Sequence, residues 1–201
     1  SIVYYASWMD KYRDTPEFRN VEHVSYVDAD MQLVDTLRKG KTNCVVELMH
    51  AIDRLKDYRN MSDSLVRLNL MYVIHIVGDM HCPSHVKYPG CKSGRADLNG
   101  KKMSYHAMWD WGVLDGAHGW SYSEYRLLLD TFSKREKAGM AKGTPREWLY
   151  ETAVACRVIY DWQRADGTYG KQFVTDTYLL PERQLILASY RLAAVLNDLF
   201  G

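Results

Sequence analysis

Residues 73–85, Val-Ile-His-Ile-Val-Gly-Asp-Met-His-Cys-Pro-Ser-His, set ionisable side chains inside an otherwise apolar, helix-like run. His75 and Asp79 are four residues apart. On an α-helix such residues share a face, with Cβ atoms about 5–6 Å apart. A buried ionised aspartate is costly unless it is paired or bound to a cation. The run must therefore become a helix whose polar face meets other polar groups. His106 and Asp110, in Tyr105-His106-Ala107-Met108-Trp109-Asp110, repeat the spacing. One His/Asp pair alone reads as an internal hydrogen bond. Two such pairs, with His85 close by, favour a cluster of nitrogen and oxygen donors suited to zinc. Gly78 leaves room for close approach of an ion or another backbone. Pro83 interrupts the helix and lets His85 turn back toward the cluster. His81 points to a different face and reads as a supporting or structural residue.

The rest of the 201 residues reads as helical, and no alternating strand run persists. Helices are expected over 3–14, ending before Pro16, and from a Thr42 or Asn43 cap through about Tyr58. Others should run from Ser62 or Asp63 toward Pro83, over 105–114, and over 121–133. Thr144-Pro145 opens a helix to about 163, and Pro181 opens a last one through Leu199. The polar stretch 87–103 reads as a loop. With no repeat, low-complexity segment or linker, the expectation is one all-α, multi-helix domain over residues 1–201.

The chain is 47% apolar and 25% charged, the profile of a globular rather than a disordered protein. A net charge of +1 gives no global field, so an anionic substrate must be drawn locally, by metal or a few arginines. No apolar run approaches the roughly 18–20 residues of a membrane span. Cys44, Cys82, Cys91 and Cys156 form no Cys-x-x-Cys pair. Their even number fits two disulfides and an oxidising compartment, and equally four buried thiols. Paired Glu-x-x-His, His-Glu-x-x-His and Gly-x-Ser-x-Gly are absent, which disfavours a di-iron bundle, a zincin and a nucleophile elbow. The opening Ser1-Ile2-Val3-Tyr4 has neither cap nor initiator methionine and reads like mid-helix.

Residues 75–85 resemble the signature of the S1/P1 nuclease family, a branch of the zinc-dependent phospholipase C/P1 nuclease fold. Ala6-Ser7-Trp8-Met9-Asp10-Lys11-Tyr12-Arg13, Ser104-Tyr105-His106-Ala107-Met108-Trp109-Asp110 and Arg191-Leu192-Ala193-Ala194-Val195-Leu196-Asn197 resemble further family segments in the same order. The resemblance implies that Asp10, His75 and Asp79 hold one zinc and that His85, His106 and Asp110 hold a second. Asp79 would bridge to a third. It also implies cleavage of single-stranded DNA and RNA, and of 3′-phosphates on nucleotides, to 5′-mononucleotides by a secreted or periplasmic protein. Arg13, one turn after Asp10, would offer its planar fork to phosphate oxygens. Tyr26 and Asp28 match positions that stack on and hydrogen-bond a nucleobase. Cys44 and Cys156 match cysteines that the family pairs, and Cys82 and Cys91 would pair locally to brace His85.

Three departures qualify the resemblance. The family's N-terminal tryptophan, which binds the third zinc, has no counterpart, so two zinc ions or fewer are expected here. Ser25 stands where the family supplies a histidine to the first zinc, and His23, two residues earlier, is the candidate replacement. The 87–103 stretch lacks the family's Gly-Gly-Asn arrangement. A phospholipase-C-like phosphodiester hydrolase and a non-catalytic zinc-binding descendant are the alternative readings.

Overall fold

The computed structural model describes residues 2–37 and 40–201, without the side chains of Ile2 and Val3. Among the described residues the architecture is all-α with two small sheets. Helix α3 (Cys44–Leu55) is capped by Asn43, whose side chain accepts from the Val45 amide. The same Asn43 donates Nδ2 to the Tyr26 and Val34 carbonyls, tying the preceding loop to the helix start. Helix α4 (Asp63–Asp79) lies at the centre and packs on α3, on the long C-terminal helix α11 (Leu179–Phe200) and on α1 (Ile2–Ala6). Its buried Met71, Tyr72, Val73, Ile76 and Val77 meet Val45, Leu48, Ala51 and Leu55 in the larger of two apolar cores. The second core gathers Tyr105, Trp109, Ile159, Tyr169 and Phe173.

Several elements differ from the sequence reading. The helix expected over 3–14 is two pieces, α1 and α2 (Trp8–Tyr12), broken at Ser7. That break leaves the Ala6 carbonyl to accept from His75 Nδ1 at 2.5 Å. The stretch 87–103 is not simply a loop. Strand β2 (Val86–Lys87) pairs in parallel with β1 (Ser25–Tyr26), with Ser25 opposite Val86. Strands β3 (Arg95–Leu98) and β4 (Lys101–Ser104) form a hairpin, turned at Asn99 and Gly100, both at positive φ. Strand β5 (Thr168–Tyr169) extends that sheet beside β3. Strands of two to four residues carry too little alternation to be read in sequence.

The helix over 105–114 is a short α-turn, α5 (Tyr105–Ala107), then a π-helical turn over Met108–Gly112, then α6 (Val113–Ala117). Helix α7 (Tyr122–Leu129) is shorter than expected and starts on a Ser121–Glu124 capping box. Helices α8 (Lys134–Met140) and α10 (Lys171–Thr177) were not expected. A capping box from Thr144 to Glu147, with Pro145 in the first turn, opens α9 (Pro145–Cys156), and a 3-10 turn at Arg157–Tyr160 follows it. Helix α11 begins two residues before Pro181, whose missing N–H costs nothing in a first turn.

Candidate metal centre

The C-terminal end of α4 and its neighbours bring the chemistry together. His75 and Asp79 project from the last turns of α4, and Pro83 then stops the helix. A 3-10 turn, Pro83–His85, brings His85 back so that its Nδ1 lies 3.2 Å from Asp79 Oδ2. Asp79 Oδ2 is also 2.9 Å from His75 Nε2. Asp10 comes from the first turn of α2, its Oδ1 lying 4.0 Å from His75 Nε2. His23 sits at a bend just before β1, with Nδ1 at 3.4 Å from Asp10 Oδ1. The β1–β2 pairing holds this bend against the residues that follow His85.

Ser25 is turned away from the cluster. It is buried and its Oγ lies 3.3 Å from Cys44 Sγ. His23 thus occupies the place that the sequence reading left between the two residues. It joins Asp10 and His75 in one group of donors that could hold an ion.

On the other side, His85 Nε2 is 3.4 Å from Asp110 Oδ1. Asp110 projects from the π-helical turn, a local rewinding often found at functional sites. The His106 ring stacks on His85, with centroids 4.6 Å apart and planes at 28°. The donors that converge with His85 and Asp110 include Cys82, whose Sγ is 3.5 Å from Asp110 Oδ1. His106 therefore stands beside the second group rather than within its tightest set. The sequence reading gives Cys82 to a disulfide, and Cys82-Pro83-Ser84-His85 also has the Cys-x-x-His spacing of a metal site.

The cluster passes a simple test for a cation. His23 Nδ1 and Nε2, His75 Nε2, Asp79 Oδ2 and both ring nitrogens of His85 are buried without a hydrogen-bond partner. Buried polar atoms are otherwise nearly always satisfied. The His–Asp separations are short without meeting hydrogen-bond geometry, and the donors gather into two groups that could each hold an ion. Tetrahedral zinc with Zn–N and Zn–O near 2.1 Å holds nitrogen and oxygen donors about 3.4 Å apart. The His23–Asp10 and His85–Asp110 separations are both 3.4 Å.

The electrostatics agree. Burial works against charge on His75 and His85, yet both are raised. Asp79, helped by the Ala6 carbonyl, raises His75, whereas Cys82 first, then Asp110 and Asp79, raise His85, which is pushed up to about 12. Asp79, although its burial opposes ionisation, is held well below the usual carboxylate range by the two imidazoles. The exposed Asp10 and Asp110 side chains, at 61% and 44%, open the cluster to solvent, whereas His75 at 1% forms its floor.

Other residues singled out in the sequence fall as follows. His81 is structural: Nδ1–H donates to the Val77 carbonyl at 2.7 Å, and Nε2 accepts from Arg191 Nη1 at 2.9 Å. Arg191 also pairs with Glu151, so this buried clamp fixes the end of α4 to α9 and α11. Arg13 is exposed at the end of α2 and makes no ion pair among the described residues. Tyr26 is half-buried on β1. Asp28 is exposed, and its Oδ1 accepts from the Asp30 and Gln32 amides at 2.9 Å, so one oxygen is committed to its own loop. Gly78 does not serve close approach, since a Cβ there would meet nothing within 4 Å.

The disulfide expectation is corrected. Cys44, Cys82, Cys91 and Cys156 are all free thiols. Cys44 faces Ser25 and Asn43, while Cys82 faces Ser84 and Asp110, so neither meets its expected partner. A cleft of about 1020 Å³ lies elsewhere, lined by Arg146, Arg183, Arg191 and Glu151 among others, and contains none of the cluster donors.

Comparison with known proteins identifies the family. A family description, S1/P1 Nuclease, matches residues 1–201. Endonuclease 4 of Arabidopsis thaliana is 25% identical over 215 residues, which cover 94% of this chain and 69% of that protein. Endonuclease 2 of the same plant is 27% identical over 184 residues, covering 80% and 63%. Nuclease S1 of Aspergillus oryzae is 28% identical over 155 residues, covering 71% and 53%. The chain thus spans between about half and about two thirds of these relatives' own length.

Proposed function

The chain belongs to the S1/P1 nuclease family, and from that premise we propose that it is a zinc-dependent hydrolase of phosphate esters. Its substrates are single-stranded DNA or RNA and 3′-nucleotides, and its products are 5′-mononucleotides. The observation that carries this reading is the set of buried, unpartnered donor atoms on His23, His75, Asp79 and His85, flanked by exposed carboxylates.

Asp10, His23, His75 and Asp79 would hold one zinc, and His85, Asp110 and His106 a second. Zinc at these positions would acidify a water and draw off negative charge from phosphoryl oxygens. The chain's own groups do the rest. The Ala6 carbonyl fixes the tautomer of His75, leaving Nε2 free as a donor. Asp79 lies between the two groups and spaces them. Arg13, exposed and uncommitted, offers two parallel donors to a non-bridging phosphate oxygen pair. Tyr26 supplies a ring face for an unpaired base, and the second carboxylate oxygen of Asp28 accepts from that base's edge. Unpaired bases can reach such a ring, whereas bases stacked in a duplex cannot. By family we assign the protein to an exported, secreted or periplasmic location. Among the described residues no helix is long and apolar enough to cross a membrane.

The test is hydrolysis by zinc-loaded protein of single-stranded DNA, duplex DNA, a 3′-nucleotide and a phosphocholine diester, each with and without chelator. Chelator-sensitive cleavage of the first and third is expected. Preference for phosphocholine would replace the assignment with the phospholipase-C-like one. Stable zinc binding without hydrolysis of any substrate would leave a non-catalytic zinc protein.

A further inference from the structure

We propose that Cys82 is a protein ligand of the second metal, completing a Cys82/His85/His106/Asp110 set; this rests on the zinc reading given above. The sulfur lies 3.5 Å from Asp110 Oδ1, and His85 Nε2 lies 3.4 Å from the same oxygen. Zinc bond lengths of about 2.3 Å to sulfur and 2.1 Å to oxygen, at a tetrahedral angle, put those two donors about 3.6 Å apart. That sulfur–oxygen separation, which now carries a Cys82 S–H hydrogen bond to Asp110, is thus the one a shared ion would set, and the three donors lie within 4.8 Å of one another. His85 is 7% exposed and both its ring nitrogens lack a partner, so a buried donor is aimed into the same space. The position is built by the chain. Pro83 ends α4, Cys82 becomes the cap of the following 3-10 turn, and its side chain is delivered beside His85, three residues on.

Ligation replaces the S–H bond by a metal–sulfur bond, and the proton leaves to solvent. A sulfur donor makes the second site softer than a nitrogen and oxygen set, favouring zinc and cadmium over magnesium and manganese. Cys82 is at the same time withdrawn from any pairing with Cys91.

The experiment is cobalt(II) titration of the chelator-treated wild type, Cys82→Ser and Cys91→Ser proteins, followed by absorption. A near-ultraviolet sulfur-to-cobalt charge-transfer band is expected in wild type and Cys91→Ser, and not in Cys82→Ser. Visible ligand-field bands should persist in all three. Zinc affinity at one site should fall at least about 10–100-fold in Cys82→Ser, the loss typical even of a weaker partner behind a ligand. Ligand-field bands without the charge-transfer band in wild type would overturn the role of Cys82 while leaving the metal centre intact. Absence of both kinds of band would overturn the zinc reading as well. A second measurement needs no variant: zinc should shield Cys82 of the wild type from alkylation, read by peptide mass mapping. Equal labelling with and without bound zinc would refute ligation.

Discussion

His81 lies between two proposed metal ligands, Asp79 and His85, yet its environment requires a neutral, non-ligating ring. Its Nδ1–H is given to Val77 and its Nε2 lone pair to the Arg191 guanidinium, 2.9 Å away. Burial is the main reason that its pKa falls to about 4, with Arg191 adding to the fall and the Val77 carbonyl opposing it. In the unfolded chain the ring titrates near 6.5. The folded pKa is depressed, so the stability it confers is fully present above about pH 6.5. It is lost progressively as pH falls toward 4, where the unfolded chain takes up a proton that the fold refuses. A depression of about 2.5 units at roughly 1.4 kcal/mol each gives about 3 kcal/mol lost by pH 4. The assay is urea unfolding of wild type and His81→Gln between pH 8 and pH 4. The metal ligands titrate in both proteins and cancel in the difference. Wild type should lose about 3 kcal/mol more than the variant over that range, and His81→Gln should keep its zinc. Parallel pH profiles, or loss of zinc in the variant, would refute the structural role.

Other substitutions probe the cluster directly. Asp79→Ala should lose zinc at both sites and with it hydrolysis, because Oδ2 lies within 3.2 Å of both His75 and His85; wild-type turnover would remove Asp79 from the centre. Ser25→Ala should leave zinc content unchanged, since Ser25 Oγ faces Cys44, and a fall in zinc would mean that the serine, not His23, serves the site. Arg13→Ala should lower kcat/KM on single-stranded DNA by about 10–100-fold, the worth of one lost charge-assisted contact. Its melting temperature should not move, because the side chain is exposed and without an ion pair among the described residues. Unchanged kcat/KM would leave Arg13 an ordinary surface arginine.

The strongest sequence signals were those with local physics behind them. The four-residue spacing of His75 and Asp79, the helix stop at Pro83 and the return of His85 needed only helix geometry. The Asn43 and Thr144 caps were legible for the same reason. Non-local features were not. Whether His23 or Ser25 meets Asp10 depends on the bend before β1 and on a two-residue parallel pairing with residues 86–87, which no local pattern encodes. The π-helical turn that carries Asp110 differs from an α-helix only in its hydrogen-bond register, which residue spacing alone does not reveal. Cys82 stands beside His85 and Asp110, a neighbourhood that the number of cysteines does not reveal.

The most direct measurement is zinc per chain, by elemental analysis after dialysis, in wild type and in His23→Ala. We expect two ions in the wild type and one in the variant, because His23 completes only the group with Asp10 and His75. Fewer than two ions in the wild type, or two retained in His23→Ala, would contradict the two-site centre described here.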